Sequence, residues 1–176
     1  MGQISILIVD DDFAKITSII KQVREVFSET LDITQASSVQ EAIENLQKKE
    51  FHLMITDFQM PLREGDAPDD NGGLALLKSL YKKKTAANLP LYIVGLTQFD
   101  SLKISYKGVW KVWHYSSELD EWRENIRDLI HHVYNGGHWA RVYGDCGPVI
   151  SGIIGPGSSG FITEVIGPAQ GMNSAA

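Results

Sequence analysis

The chain has 176 residues, of which 43% are hydrophobic, and a formal net charge of -6. This length suits one medium domain with an appendage, and the acidic balance does not favour a footprint on duplex DNA. Cys146 is the only cysteine, which excludes an intrachain disulfide and a cysteine metal cage. The apolar run near the N-terminus is short and ends in acids, unlike a signal peptide, and no apolar run reaches the ~18 residues that span a membrane. We therefore expect a cytoplasmic protein without membrane contact.

Short apolar runs alternate with helical patterns through the first 135 residues. Five runs predict strands, at residues 4–9, 31–36, 51–56, 91–96 and 108–113. Apolar residues at three- and four-residue spacing predict four helices, carried by Ile16, Ile19, Ile20, Val23, Val26 and Phe27, by Ala42, Ile43 and Leu46, by Leu74, Leu77, Leu80 and Tyr81, and by Leu119, Trp122, Ile126, Leu129, Ile130 and Val133. The order predicts a parallel sheet with helices on both faces.

Polar residues mark several helix starts. Asp12 is expected to cap the first helix, and Ser38 with Glu41 forms a capping box before the second. Ser117 is a candidate N-cap of the last helix. The segment between strands four and five is short, which indicates one or two helical turns or an irregular crossover.

Acidic residues end two of the predicted strands. Asp10 and Asp11 follow the first strand, and Asp57 follows the third, just before "FQMP". In a doubly wound sheet, sites form beyond the carboxyl ends of the strands, so these three carboxylates are expected to meet. Their mutual repulsion is relieved by a cation, and a hard divalent ion such as Mg2+ suits oxygen ligands. The alternative for Asp10 and Asp11 is a solvated loop, and for Asp57 a turn residue.

The composition changes near Gly136. Residues 136–176 contain ten of the sixteen glycines and three of the six prolines. We expect residues 1–135 to form one domain and residues 136–176 a Gly/Pro-rich tail of extended segments and turns, or a partly disordered one. Gly136 and Gly137 are expected to stop the last helix. The tail is too short and too weakly charged for a helix-turn-helix output domain.

Residues 4–134 resemble the receiver domain of two-component response regulators. The motifs that carry the resemblance are "ILIVDDD", "MITDFQMP", "VGLT" and "SSELDEW". The resemblance implies a flavodoxin-like fold whose five parallel strands have the order 2-1-3-4-5. It implies phosphorylation of Asp57 rather than turnover as an enzyme, with a sensor histidine kinase or phosphotransfer protein as donor and a downstream protein as target.

The resemblance also assigns roles within the pocket. Asp10, Asp11 and Asp57 would hold Mg2+ together with the backbone carbonyl of Gln59. Thr97 would hydrogen-bond a phosphoryl oxygen and report phosphorylation to the surface formed by residues 96–106.

Three features depart from the family's pattern. Tyr115 stands at the end of strand five, where the family has a lysine that pairs with the phosphoryl group. Gln98 replaces a small residue after Thr97, and the fourth-helix region is short. For the nearby Trp110 and Trp113, a place in the core is favoured over a place at an interface.

Several functions remain open from the sequence. The first is a single-domain response regulator that signals through protein contacts, without nucleic-acid binding. A degenerate receiver that binds partners independently of phosphorylation is the main alternative. A carrier whose tail is the effector is a further possibility. A phosphatase is disfavoured, because Gln59 occupies the position of its second aspartate.

Overall fold

The computed structural model describes residues 3–26, 31–82, 86–98 and 108–142, with the backbone alone for residue 26 and residues 135–142. Its five strands are β1 (Ile4–Val9), β2 (Leu31–Ala36), β3 (Leu53–Thr56), β4 (Tyr92–Thr97) and β5 (Lys111–His114). Its four helices are α1 (Phe13–Val26), α2 (Val39–Lys48), α3 (Gly72–Tyr81) and α4 (Glu121–Val142). Among the described residues, no helix is long and apolar enough to cross a membrane.

The strands form one parallel sheet in the order β2-β1-β3-β4-β5, which confirms the predicted fold class and strand order. β1 is buried on both faces because its side chains alternate between two cores. Ile4, Ile6 and Ile8 pack with α1 and α4, whereas Leu7 and Val9 pack with α2 and α3. The two edge strands, β2 and β5, are less buried.

The capping predictions have mixed outcomes. The Asp12 carboxylate accepts the Ala14 and Lys15 N–H groups, and the Ser38 hydroxyl accepts the Glu41 N–H, so both N-caps are confirmed. In the predicted capping box, the Glu41 carboxylate accepts the Ser37 N–H. Ser117 as the N-cap of the last helix was wrong, because α4 begins only at Glu121.

The segment before α4 forms a separate turn. The Ser116 hydroxyl accepts the N–H groups of Glu118 and Leu119. Leu119 therefore precedes the helix and is 60% exposed, instead of lining its buried face as predicted. Trp122 begins that face and is fully buried.

The last helix continues to Val142, and the prediction that Gly136 and Gly137 stop it was wrong. Glycine costs only about 1 kcal/mol relative to alanine within a helix, which a supported helix tolerates. The predicted tail beyond residue 142 lies outside the described residues. So do residues 99–107, where one or two helical turns or an irregular crossover were expected.

Candidate functional site

Asp10 and Asp57 lie side by side because their strands are neighbours. β1 and β3 pair in register up to Val9 and Thr56, and each aspartate is the next residue. The Asp57 N–H extends the pairing by donating to the Val9 carbonyl over 2.9 Å. Both residues are buried, with exposures of 2% for Asp10 and 8% for Asp57. The predicted meeting of these two carboxylates at one end of the sheet is therefore present in the structure.

Lys15 joins the two carboxylates. Its Nζ lies 2.7 Å from Oδ2 of Asp10 and 2.7 Å from Oδ2 of Asp57. The lysine is only 1% exposed. A buried carboxylate pair without a cation is unfavourable, and so is a buried ammonium without an anion. The three side chains form a mutually dependent ionic cluster, with two negative charges and one positive charge.

The position of Lys15 in helix α1 places its side chain next to Asp10 and Asp57. The Asp12 cap fixes the first turn directly after β1, and the Lys15 N–H donates to the capping carboxylate. Lys15 lies four residues before Ile19 and eight before Val23, so it continues their buried face. Lys15 was not among the site residues predicted from the sequence. The available signal was a lysine on an apolar helix face, one turn after an acidic cluster.

The other oxygen of Asp57 is held by the backbone. Oδ1 accepts the Phe58 N–H over 2.6 Å and faces the Gln59 N–H at 3.4 Å. The start of α3 packs closely against the backbone of Asp57 and Phe58. There the Gly73 N–H donates to the Phe58 carbonyl. A Cβ on Gly73 would lie 2.6 Å from the Asp57 carbonyl oxygen. The glycine at the start of α3 therefore permits the packing that holds the Asp57 backbone.

Burial raises the pKa of the Asp10 carboxyl from its ordinary value of 3.8 to about 6. The charge of Lys15 and its hydrogen bond act in the opposite direction, as does the Asp12 N–H, whose bond to Oδ1 is 2.9 Å long. The neighbouring Asp57 carboxylate raises the pKa further. Lys15 thus offsets only part of the cost of burying a charged Asp10.

The β4 and β5 side of the site contains Thr97 and Tyr115. Thr97 ends β4 and is 2% exposed. Its carbonyl accepts the Tyr115 N–H over 2.7 Å, so Tyr115 directly follows β5 at the same end of the sheet. The Gln98 side chain reaches the start of α1, where its Nε2 lies 3.4 Å from the Asp12 carboxylate.

The Tyr115 ring occupies the space beside the ionic cluster. Its centroid lies 5.5 Å from Nζ of Lys15 and 5.0 Å from the ring of Trp122. An ammonium within about 6 Å of an aromatic face is attracted by the ring's quadrupole. The residue at the end of β5 therefore contacts the cation of the site without carrying a charge itself.

The carboxylate oxygens of Asp10 and Asp57 are suitable ligands for a hard cation, but the third predicted carboxylate does not join them. A carboxylate has about four lone-pair sites, so Asp10 and Asp57 can accept further partners besides Lys15. Asp11, the third predicted ligand, is exposed. Within the described part of the chain, no group of three His, Cys, Asp or Glu side chains is placed to hold a metal ion. Two of the three predicted carboxylates therefore converge, and Asp11 lies at the surface beside them.

A protein-family model matches more than half of the chain. Residues 6–108 match the family model of the response regulator receiver domain. A protein of Sinorhizobium fredii named "Uncharacterized protein y4jS" is 37% identical over 92 residues, which are 52% of this chain and 22% of that protein. The chain therefore spans well under half of that relative.

Solved structures of receiver domains share the fold. A Salmonella typhimurium RcsB response regulator aligns with a TM-score of 0.56 and 17% identity, covering 77% of this chain and 62% of that one. A Francisella response regulator receiver domain aligns with a TM-score of 0.55 and 19% identity, covering 76% and 98%. The chemotaxis response regulator CheY4 of Vibrio cholerae aligns with a TM-score of 0.53 and 18% identity, covering 75% and 99%. At these identities the likeness concerns the fold alone.

Proposed function

Because this chain belongs to the response regulator receiver family, we propose that it accepts a phosphoryl group on Asp57 in two-component signalling. Receiver domains are generally phospho-acceptors rather than enzymes that turn over a substrate. The observation that carries the proposal is the placement of the Asp57 carboxylate. It follows β3 beside Asp10, its backbone is tied to β1, and Lys15 contacts its Oδ2.

The chemistry follows from this placement. A carboxylate oxygen of Asp57 attacks the phosphorus of a phosphohistidine or an acyl phosphate. An O–P bond forms, and the bond from phosphorus to the donor breaks, with its electron pair leaving on the donor. Asp57 is 8% exposed, against 2% for Asp10, so an incoming donor reaches Asp57 more readily.

We assign Mg2+ to the same site, held by Asp10, Asp11, Asp57 and the backbone carbonyl of Gln59. The bound ion would offset charge on the transferring group. Asp11 is one residue from Asp10 and exposed, which leaves its side chain available to join the other two carboxylates. Thr97, buried at the end of β4, would hydrogen-bond the phosphoryl group.

Receiver domains interact with histidine kinases or phosphotransfer proteins, and we propose a donor of this kind for the present chain. The downstream target would be another protein, reached without nucleic acid or membrane contact. The cytoplasmic location and the division of the chain at residue 135 stay predictions.

A phosphorylation-independent receiver is the second candidate, and one observation favours it. Lys15 already pairs with Asp57, while the end of β5 presents Tyr115 instead of a lysine. Such a pocket could be an ionic core that stabilises the fold and leaves partner binding to the surface.

The test is incubation of the full chain with Mg2+ and acetyl phosphate, followed by intact mass. We expect a species heavier by about 80 Da in the wild type, absent in Asp57→Ala. Asp66→Ala, an exposed acid of the same loop, is the matched control and should keep the adduct. No adduct in the wild type, or an adduct that survives Asp57→Ala, would reject Asp57 as acceptor and favour the second candidate.

A further inference from the structure

We propose that Lys15 of α1 is the phosphoryl-binding cation of this receiver, in place of a lysine at the end of β5. This inference rests on the proposed function and adds a residue to it. The family resemblance implies a lysine at the end of strand five. Here Tyr115 follows β5, and the ammonium comes from α1 instead.

The burial of Lys15 is the first observation behind this proposal. It is the one lysine or arginine among the described residues that is buried, at 1% exposure. A lysine in this position loses its hydration, which is unfavourable unless nearby anions replace it. Nζ contacts Oδ2 of both Asp10 and Asp57 at 2.7 Å, so it lies at the acceptor group itself.

The second observation is the reciprocal fit of Lys15 and Tyr115. The aromatic ring lies 5.5 Å from Nζ and also packs on Trp122. A lysine at position 115 would bring a second ammonium into the same space. With Tyr115 there, one ammonium serves both carboxylates, and the ring covers its side towards β5.

Phosphorylation of Asp57 would increase the negative charge next to Lys15. When an oxygen of Asp57 becomes bonded to phosphorus, the carboxylate loses its own charge and the phosphoryl group brings close to two negative charges. Lys15 keeps its contact with Asp10 and is already within hydrogen-bonding distance of the acceptor oxygen. Its ammonium, a compact point charge with three donors, can therefore contact a phosphoryl oxygen without moving far.

The test compares four chains with the wild type in the acetyl phosphate reaction, each with Mg2+ and followed by intact mass over time. The variants are Lys15→Met, Tyr115→Lys, the double variant Lys15→Met/Tyr115→Lys, and Lys21→Met. The last removes an exposed lysine from the same helix and is the matched control. Binding of beryllium fluoride, a phosphoryl mimic, is measured in parallel by fluorine NMR and requires no phosphoryl transfer.

We expect Lys15→Met to lower the phosphorylation rate by roughly tenfold or more and to weaken beryllium fluoride binding. Lys21→Met should match the wild type. The double variant should recover a large part of both losses, because it returns one ammonium to the pocket from the β5 side. This recovery also guards against a Lys15→Met chain that fails to fold.

Two results would overturn the inference. One is a Lys15→Met chain that is phosphorylated and binds beryllium fluoride like the wild type. The other is a folded double variant that recovers neither property. In both cases wild-type phosphorylation would leave the proposed function intact. A wild type that takes up no phosphoryl group would instead reject the proposed function, and the role of Lys15 with it.

Discussion

The Lys15 ammonium lies 2.7 Å from the Asp57 carboxylate across a sequence separation of 42 residues. One residue comes from the first turn of α1 and the other follows β3, so the contact exists only in the folded chain. The same ammonium contacts Asp10 at an equal distance. The acidic end of the sheet thus includes its own counter-ion.

Lys15→Met should destabilise the fold strongly at neutral pH. Methionine has nearly the same shape but leaves two buried carboxylates without a cation, and breaking a buried ion pair in this way costs about 3–5 kcal/mol. The measurement is urea denaturation at pH 7 in EDTA. Lys21→Met, on the exposed side of the helix, should change the free energy of unfolding by less than about 0.5 kcal/mol. Equal stability of the two variants would show that the ionic cluster is not required for the fold.

Asp10→Asn should change how stability depends on pH. The folded pKa of Asp10 is about 6 against an ordinary 3.8, so folding favours the protonated form. The protonated Asp10 therefore contributes its full stabilisation below the pKa of the unfolded state. This stabilisation is lost as the pH rises through the pKa of the folded state. Relative to Asp10→Asn, the wild type should lose about 3 kcal/mol between roughly pH 4 and 7.

The measurement for Asp10 is urea denaturation of both chains across that pH range, in EDTA to remove divalent cations. Titrating groups away from Asp10, Lys15 and Asp57 are common to both chains and cancel in the difference. A difference that stays constant, or that moves in favour of the wild type as the pH rises, is inconsistent with a raised Asp10 pKa.

Gly73→Ala should destabilise the protein although alanine favours helices. In an open helical position this change would stabilise by up to about 1 kcal/mol. Here the new Cβ would lie 2.6 Å from the Asp57 carbonyl oxygen and 2.7 Å from the Phe58 Cα, both backbone atoms. We expect a loss of about 1–3 kcal/mol, measured by thermal and urea denaturation. A more stable Gly73→Ala chain would mean that α3 can move away from this segment without cost.

Asp11→Asn separates metal binding from folding. Because Asp11 is exposed, its replacement should change the free energy of unfolding in EDTA by less than about 0.5 kcal/mol. If Asp11 joins the metal site, loss of its charge should weaken Mg2+ binding by about tenfold or more, measured by calorimetric titration. Asp66→Asn, an exposed acid in the loop after Asp57, is the control for general surface charge. Unchanged Mg2+ affinity in Asp11→Asn would remove Asp11 from the ligand set.

The sheet was largely predictable from sequence, whereas the counter-ion was not. Apolar runs separated by helical patterns allow few topologies, and acids at the ends of neighbouring strands must then meet. Lys15 gives only a weak signal, its place on the apolar face of the predicted helix, because a lysine in a first helical turn is normally solvated. Its burial depends on two carboxylates contributed by different strands, which only the assembled sheet brings together.

The ends of the last helix were mispredicted for local reasons. Ser116 and Ser117 are both plausible caps by residue type, yet the Ser116 hydroxyl closes a turn before the helix starts. The glycine pair after Asn135 has the composition of a helix end, but α4 continues through it. At both ends of α4, the surrounding chain determines where the helix begins or ends, rather than the intrinsic preference of the serine or glycine.

Phosphorylation of Asp57 is tested most directly by locating the phosphoryl group chemically. The wild-type chain is incubated with Mg2+ and acetyl phosphate, reduced with borohydride, which converts an acyl phosphate to an alcohol, and mapped by proteolysis and tandem mass spectrometry. We expect conversion of Asp57 to homoserine, with Asp10 and Asp11 unchanged. Conversion at another carboxylate, or none at any position, would contradict the assignment of Asp57 as the phospho-acceptor.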